Sequence, residues 1–374
     1  MKKVVILYRF LPHYRVEFYN KLRATLLTEG IELHLIYGKS KNKQALKQNE
    51  VDLPWAKYVP HNVFDLFGIN FIWQPYLKHI KNADLVIVEQ ANRLLFNYIL
   101  MFYKPFRKFK LAFWGHGRNR QLEEQSFPNQ FKRKFIKACD WWFSYTEGVK
   151  KYVIESGFDE NRITVVQNAI DTISLSKHYD TISETEIEAL RKKLNITTNH
   201  VCLFCGAIYK EKRIDFLLKA CDKIKEQIPD FVMIVIGSGE DMTLIKDAQK
   251  SRPWLHFEGN KFGLERLPYF KISSLVLMPG LVGLVILDCL ATKTPLVTTT
   301  YPFHSPEVEY LINGENGIIT ANNLNDYVSA IVETIKDEKK LAHLIEGCEK
   351  DRTTYNIDNM VINFKKGIIQ CLNI

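Results

Sequence analysis

Residues 277–313 read LMPGLVGLVILDCLATKTPLVTTTYPFHSPEVEYLIN. Val276 to Met278 ends a buried strand, and Pro279 with Gly280 breaks it. Gly283 opens a helix that runs through Asp288 to Ala291, Pro295 to Thr299 forms the next strand, and Pro306 with Glu307 starts another helix behind Ser305 as N-cap. A helix that begins right after a strand, with glycine at the join, aims free backbone N–H groups at a pocket. Phosphate binds there in α/β proteins. Asp288 lies five residues into this helix, where a carboxylate reaches a sugar hydroxyl.

The same alternation extends in both directions. Before this stretch come a strand at Val201 to Cys205, a helix at Ile214 to Ile228, a strand at Phe231 to Ile236, a helix at Asp241 to Lys250 and a helix at Leu264 to Ile272. The first half reads as strands at Val4 to Tyr8, Glu32 to Tyr37, Leu85 to Val88, Leu111 to Trp114, Trp142 to Ser144 and Ile163 to Val166. Helices at Arg15 to Leu27, Asn92 to Tyr103, Phe131 to Ala138 and Thr146 to Ser156 stand between them. Gly38 to Asn49 is a polar, Lys-rich loop. Two βα alternations imply an α/β protein with two open parallel sheets, and 374 residues give each a core of its own.

Composition separates classes of partner. With 46% hydrophobic and 25% charged residues, the chain reads as an ordinary globular protein. Residues 1–170 hold 27 Lys and Arg against 15 Asp and Glu, a balance of +12, while the remainder holds 24 against 27, or −3. So uneven a charge points the first half at an anionic partner. Nucleic acid is set aside because no recognised nucleic-acid module appears. The seven cysteines are scattered, and Cys202 and Cys205 point to opposite faces of a strand, so they read as core or surface thiols in a reducing cytoplasm. Neither a signal peptide nor a run near the ~18 apolar residues of a membrane span is expected.

Four clusters suggest chemistry. Gly206 to Arg213 (GAIYKEKR) puts Lys212 and Arg213 after a glycine turn at a strand end, suited to a diphosphate; the plain alternative is a solvated helix start. Gly237-Ser238-Gly239 is a βα turn with Met242 where a dinucleotide fingerprint needs glycine, and Gly115-His116-Gly117 fails the same test at Arg120. His116 lies at the carboxyl end of a strand, where ligands bind in open α/β sheets. Arg9, His13, Tyr14 and Arg15 gather at the first βα turn and suit an anionic acceptor such as a lipid diphosphate. Leu94 to Lys110 mixes aromatics with Lys104, Arg107, Lys108 and Lys110, which fits an anionic membrane surface or a buried helix with a basic exit.

Together these segments resemble the retaining glycosyltransferases of family 4. Their Glu-Gly-Phe-Gly signature, followed by a second Glu, aligns with Gly280-Leu281-Val282-Gly283 and Asp288, so the first acid is lost and the second is shorter. Ser305-Pro306-Glu307, Asn313 to Gly317 and Asn168-Ala169-Ile170-Asp171 also resemble family segments. The resemblance implies the GT-B fold: two Rossmann-like, doubly wound parallel-sheet lobes facing across a cleft. The expected division is 1–170 for the acceptor lobe, 171–354 for the nucleotide-sugar lobe, and 355–374 for a helix packing back on the first. It implies donor contacts from Gly206, Lys212, Arg213, Gly237, Gly280, Leu281, Val282, Gly283, Leu284, Asp288 and Glu307. Catalytic roles fall to His116, near the donor hexose, and Lys212, on the distal phosphate. Arg9, His13, Tyr14 and Arg15 face the acceptor.

The implied activity is transfer of a hexosyl group, with retention, from a nucleotide-diphosphate sugar to a saccharide, free or lipid-linked, in cell-surface polysaccharide synthesis. The setting is the cytoplasm, peripheral to the inner face of the plasma membrane. No cofactor and no metal are expected, because Lys212, Arg213 and the helix at Gly283 supply the charge. Two alternatives remain open: a non-catalytic binder of nucleotide sugar or polysaccharide, and a sugar-nucleotide epimerase on the same fold.

Overall fold

The computed structural model describes residues 1–39, 51–66, 69–103 and 106–374. Most of the Lys-rich loop, from residue 40, and Lys104 lie outside the described residues. The chain divides into two compact units, Met1–Ile170 with Ile357–Ile374, and Asp171–Asn356.

In the first unit, Val4, Val5 and Ile6 are fully buried, and such a continuous apolar run can only sit in the middle of a covered sheet. It lies in β1 (Lys2–Tyr8), which pairs in parallel with β2 (Ile31–Tyr37) on one side. β3 (Lys57–Tyr58) extends that side, and β4 (Asn62–Leu66) with β5 (Ile69–Trp73) forms a separate antiparallel hairpin. On the other side of β1 stand β6 (Leu85–Glu89), β7 (Lys110–Gly115), β8 (Trp141–Ser144) and β9 (Ile163–Val165), giving the order β3-β2-β1-β6-β7-β8-β9. The order reverses between β1 and β6, so the crevice of this lobe opens at their carboxyl ends.

The helix Val16–Leu27 covers one face beside the helix Ile357–Leu372. Phe364, from the latter, stacks on Phe143 at 4.4 Å between ring centres and meets Trp114 edge-on at 5.0 Å. Gly367 permits this approach, since a Cβ there would lie 2.5 Å from Thr164 Oγ1 and 2.6 Å from the Phe143 ring.

The second unit repeats the plan with β10 (Val201–Cys205), β11 (Val232–Ile236), β12 (Leu255–Gly259), β13 (Leu275–Leu277), β14 (Leu296–Thr299) and β15 (Gly317–Thr320). All pair in parallel in the order β12-β11-β10-β13-β14-β15, which reverses between β10 and β13. All seven cysteines are buried free thiols.

Several elements differ from the sequence reading. The helix placed from Gly283 begins at Val285, and all seven of its residues are buried, so it has no polar face to reveal its phase. The helix placed at Pro306 is a single 3₁₀ turn, Pro306–Tyr310, with no side-chain cap bond from Ser305. A helix at Thr172–Thr181 went unread; the Asp171 carboxylate caps it by accepting from the Ser174 N–H at 3.1 Å. Pro268 splits Leu264 to Ile272 into a 3₁₀ turn and a short helix, Leu267–Lys271.

Candidate functional site

At the reversal point of the second unit, the loops after β10 and β13 meet. Lys212 closes a 3₁₀ turn, Lys210–Lys212, and is only 6% exposed. Its ammonium donates to the Leu281 carbonyl across the two loops at 2.5 Å. Burial pushes the Lys212 ammonium down to about 8, because desolvation disfavours the charged form. Arg213 follows in the left-handed region (φ +57°), a backbone suited to the glycine that the resembled family often carries there. Its guanidinium donates to the Asn322 side-chain carbonyl and, at 3.4 Å, to Pro279 O, and lies over the Phe216 ring. Gly206 and Gly237 end β10 and β11 side by side; a Cβ at Gly237 would fall 1.8 Å from Gly206 O.

The sequence reading placed Gly280 among the donor contacts. In the structure a Cβ at 280 would stand 2.2 Å from Glu211 O and 2.7 Å from the Lys212 carbonyl carbon. The space goes to the loop that carries Lys212. The expected amide cradle is narrower too. Leu281 N–H donates to Glu211 O at 2.8 Å and Val282 N–H to His304 Nδ1 at 3.0 Å, so both are committed within the protein. Both side chains are buried as well. The amides of Gly283 and Leu284 have no such partner among the described residues. His304 was not singled out from the sequence, yet it organises this turn. Its Nε2 lies 2.9 Å from the Thr299 carbonyl, so Nε2 carries the proton and Nδ1 accepts.

Asp288 does not present an open carboxylate. It is 3% exposed, and its two oxygens accept from Arg266 Nη1 and Nη2 at 2.7 Å each. Burial pushes the carboxyl up while the guanidinium opposes the rise. Arg266 sits 22 residues earlier, in a different loop, and nothing in the local sequence links the two. Glu307 is 3% exposed in the Pro306–Tyr310 turn, which Ser305 N–H ties to Val282 O at 3.0 Å.

The first unit holds a cavity of about 810 Å³ at the carboxyl ends of β1, β6 and β7, lined among others by Arg9, Glu89, Gln90, Trp114, His116 and Lys132. Its walls are largely apolar. His116 packs edge-on against Tyr145 at 4.4 Å, and burial, with Lys132, Arg120 and Arg15 nearby, pushes it to about 3. The imidazole is therefore neutral near pH 7. Arg9 lines the cavity, and its backbone N–H donates to Glu89 Oε2 at 2.6 Å.

The other three acceptor candidates are not in this cavity. Arg15 is 1% exposed; it donates to the Asn168 side chain and to Ala169 O at 3.3 Å, and lies 5.3 Å from the Trp114 ring. It fastens the lobe's last loop rather than meeting a ligand. His13 is exposed and Tyr14 half-buried on the 3₁₀ turn before Val16. Glu89, Gln90 and Lys132 line the cavity instead, and the sequence reading named none of them. Arg107 is not a surface cation either: its guanidinium is 3% exposed and bonds Asp140 at 2.8 Å. Phe102, Tyr103 and Phe106 are exposed at 73%, 53% and 73%. Among the described residues no helix is long and apolar enough to cross a membrane, and no cluster of three or more His, Cys, Asp or Glu could hold a metal ion.

Comparison with known proteins gives this architecture a context. Residues 19–173 match the family described as Glycosyltransferase Family 4, and residues 186–351 match Glycosyl transferases group 1. An uncharacterized glycosyltransferase of Haemophilus influenzae is 24% identical over 310 residues, 80% of either chain. Among solved structures, Anabaena HepE in complex with UDP-glucose superposes with a TM-score of 0.71 at 15% identity, covering 99% of this chain and 100% of that one. Sucrose-phosphate synthase from Thermosynechococcus elongatus superposes with a TM-score of 0.71 at 13% identity, over 99% of both chains. With both halves matched and both sheets folded in this way, the chain belongs to the glycosyltransferases of the GT-B fold.

Proposed function

We propose that the protein is a retaining hexosyltransferase that moves a sugar from a nucleotide-diphosphate sugar to a lipid-linked saccharide in cell-surface polysaccharide synthesis. The observation that carries this reading is the buried Lys212 ammonium at the reversal point of the second sheet, beside the unused amides of Gly283 and Leu284. Departure of a nucleoside diphosphate builds negative charge, and a cation with fixed amides in a site shielded from water stabilises it without reorganising. These groups take the place of a metal. The HepE complex with UDP-glucose supports a UDP-sugar as donor.

His116, kept neutral, offers the hexose a hydrogen bond without adding a second positive charge beside an oxocarbenium-like sugar. Retention follows if the acceptor attacks from the face the diphosphate leaves and the departing phosphate takes its proton. The exposed Phe102, Tyr103 and Phe106, on the lobe with the +12 balance, suit the anionic inner face of the plasma membrane, where such acceptors reside.

The test is transfer. Purified protein is given UDP- and GDP-sugars with a short-chain prenyl-diphosphate saccharide, and the product's anomeric configuration is read by NMR. An α-donor giving an α-product is the expected result. Nucleotide binding with no transfer to any saccharide makes the protein a binder, and free interconversion of sugar epimers makes it an epimerase. Flotation with anionic liposomes, compared with neutral ones, tests the membrane surface, and equal recovery in both counts against it.

A further inference from the structure

The first unit's cavity carries a lopsided set of charges. Arg9, Arg93, Arg118 and Lys132 line it with Glu89 as the one carboxylate among its lining residues. Arg118 is already paired with Glu124, outside the cavity. Gln90, at the end of β6, is 9% exposed, yet neither its Nε2 nor its Oε1 has a hydrogen-bond partner among the described residues. A buried amide left unsatisfied costs free energy, and proteins keep such groups where a ligand completes them. The ammonium of Lys132, on the helix Phe127–Lys134, also has no hydrogen bond or ion pair to a described residue. Gln90 and Lys132 together line both this cavity and a smaller one beside it, which sets them at the junction of the two.

The walls define the rest of the ligand. Ile69, Phe71, Leu94, Leu95, Phe127 and Phe131 enclose the space, and Ile69 and Phe127 are 45% and 78% exposed. Walls of mixed aliphatic and phenylalanine side chains give sugar hydroxyls no hydrogen bonds, whereas they suit hydrocarbon.

We propose that this cavity takes the phosphate end of a hydrocarbon-linked acceptor, with Lys132 and Gln90 on the phosphate oxygens and the apolar walls around the first part of the chain. This rests on the glycosyltransferase reading and narrows its acceptor to a prenyl-type phosphate or diphosphate. Burial drives the Lys132 ammonium down to about 7. The titratable and charged groups that line the cavity with it are Glu89, His116, Tyr98, Tyr145, Arg9, Arg93 and Arg118. Burial keeps His116 neutral and raises Glu89 and Tyr98. A bound phosphate favours the ammonium, so binding above about pH 7 draws a proton from solvent.

The experiment is calorimetric titration of the full chain with farnesyl phosphate, farnesol and inorganic phosphate at pH 6 and pH 8, each in two buffers of different ionisation enthalpy. UDP is titrated in parallel. Farnesyl phosphate is expected to bind at least about tenfold tighter than either fragment, with proton uptake at pH 8 that gives way at pH 6 to proton release, because the phosphate's own second ionisation lies at about pH 6. Lys132→Met abolishes the uptake and weakens binding about 10- to 100-fold, the range for a charge-assisted hydrogen bond. Gln90→Leu weakens binding with the uptake intact; an unchanged circular-dichroism spectrum and melting temperature show that the first unit of each variant folds, and UDP affinity stays unchanged because that site lies in the second unit. UDP binding without farnesyl phosphate binding overturns this proposal and leaves the donor reading standing. Loss of UDP binding in the wild type defeats the reading beneath it.

Discussion

Lys212 and Leu281 join the two loops that flank the reversal point of the second sheet: the ammonium of one donates to the carbonyl of the other at 2.5 Å. The lysine is thus aimed before any ligand arrives, and burial holds it at about 8. A diphosphate favours its charged form. Nucleotide affinity should therefore be greatest below about pH 8 and fall by up to about tenfold per unit above it. Lys212→Ala should cost about 1.5–3 kcal/mol of UDP binding and flatten this pH dependence. Calorimetry from pH 6 to 9.5 reads both, and an unchanged slope in the variant places the titrating group elsewhere.

Gly280 and Gly283 separate crowding from chemistry. A methyl group at 280 meets Glu211 O at 2.2 Å, while one at 283 finds its nearest neighbour, Ser305 Oγ, at 3.7 Å. Gly280→Ala should destabilise the second unit by about 1–3 kcal/mol, the usual cost of overpacking, and weaken UDP binding with it. Gly283→Ala should be near neutral in melting temperature. Thermal melts of the two variants side by side check this, and equal melts refute it.

Asp288 is a structural partner before it is a ligand. The Arg266 side chain is 21% exposed, so water reaches its guanidinium in part once the carboxylate is gone, and Asp288→Ala should lower stability by about 1–3 kcal/mol. The double change R266M with D288L should recover most of it. Urea melts give the stabilities. If the double variant is stable and has lost UDP, the carboxylate also serves the nucleotide; if it binds UDP normally, the pair only holds the loop.

Arg15→Met tests the corrected role of a residue first read as an acceptor contact. It leaves Ala169 O and the Asn168 side chain without their donor, which should cost about 1–3 kcal/mol of stability. A fall in melting temperature of roughly 2–12 °C is expected for a unit of this size. A variant that melts like the wild type but loses affinity for the acceptor would restore the first reading.

These cases show what a sequence can carry. The central strands were legible because both their faces are buried, which leaves a continuous apolar run such as Val4 to Tyr8 or Val201 to Cys205. A glycine turn at a strand end drew the reading to His116, which lines the first unit's cavity, and to Gly206 and Lys212, which follow β10 where the order of the second sheet reverses. The β4–β5 hairpin escaped because its strands are largely exposed and carry no clean alternation. Arg15 misled because an arginine in a βα turn is ordinarily solvated, and its burial depends on Asn168 and Met360, far along the chain. Gln90 and Lys132 gave no signal at all. Their meaning lies in what they lack, an intramolecular partner, and that emerges only from packing.

The helix Ile357–Leu372 belongs to the first unit although the whole of the second is encoded before it. During synthesis, Phe18, Trp114 and Phe143 must wait for Phe364 while 186 residues, from 171 to 356, leave the ribosome. At about 5–20 residues per second this lasts roughly 10–40 s. Through that interval the first sheet has one bare aromatic flank in the cell, open to chaperones and to neighbouring nascent chains. The order of translation thus makes the second lobe the first that can finish folding.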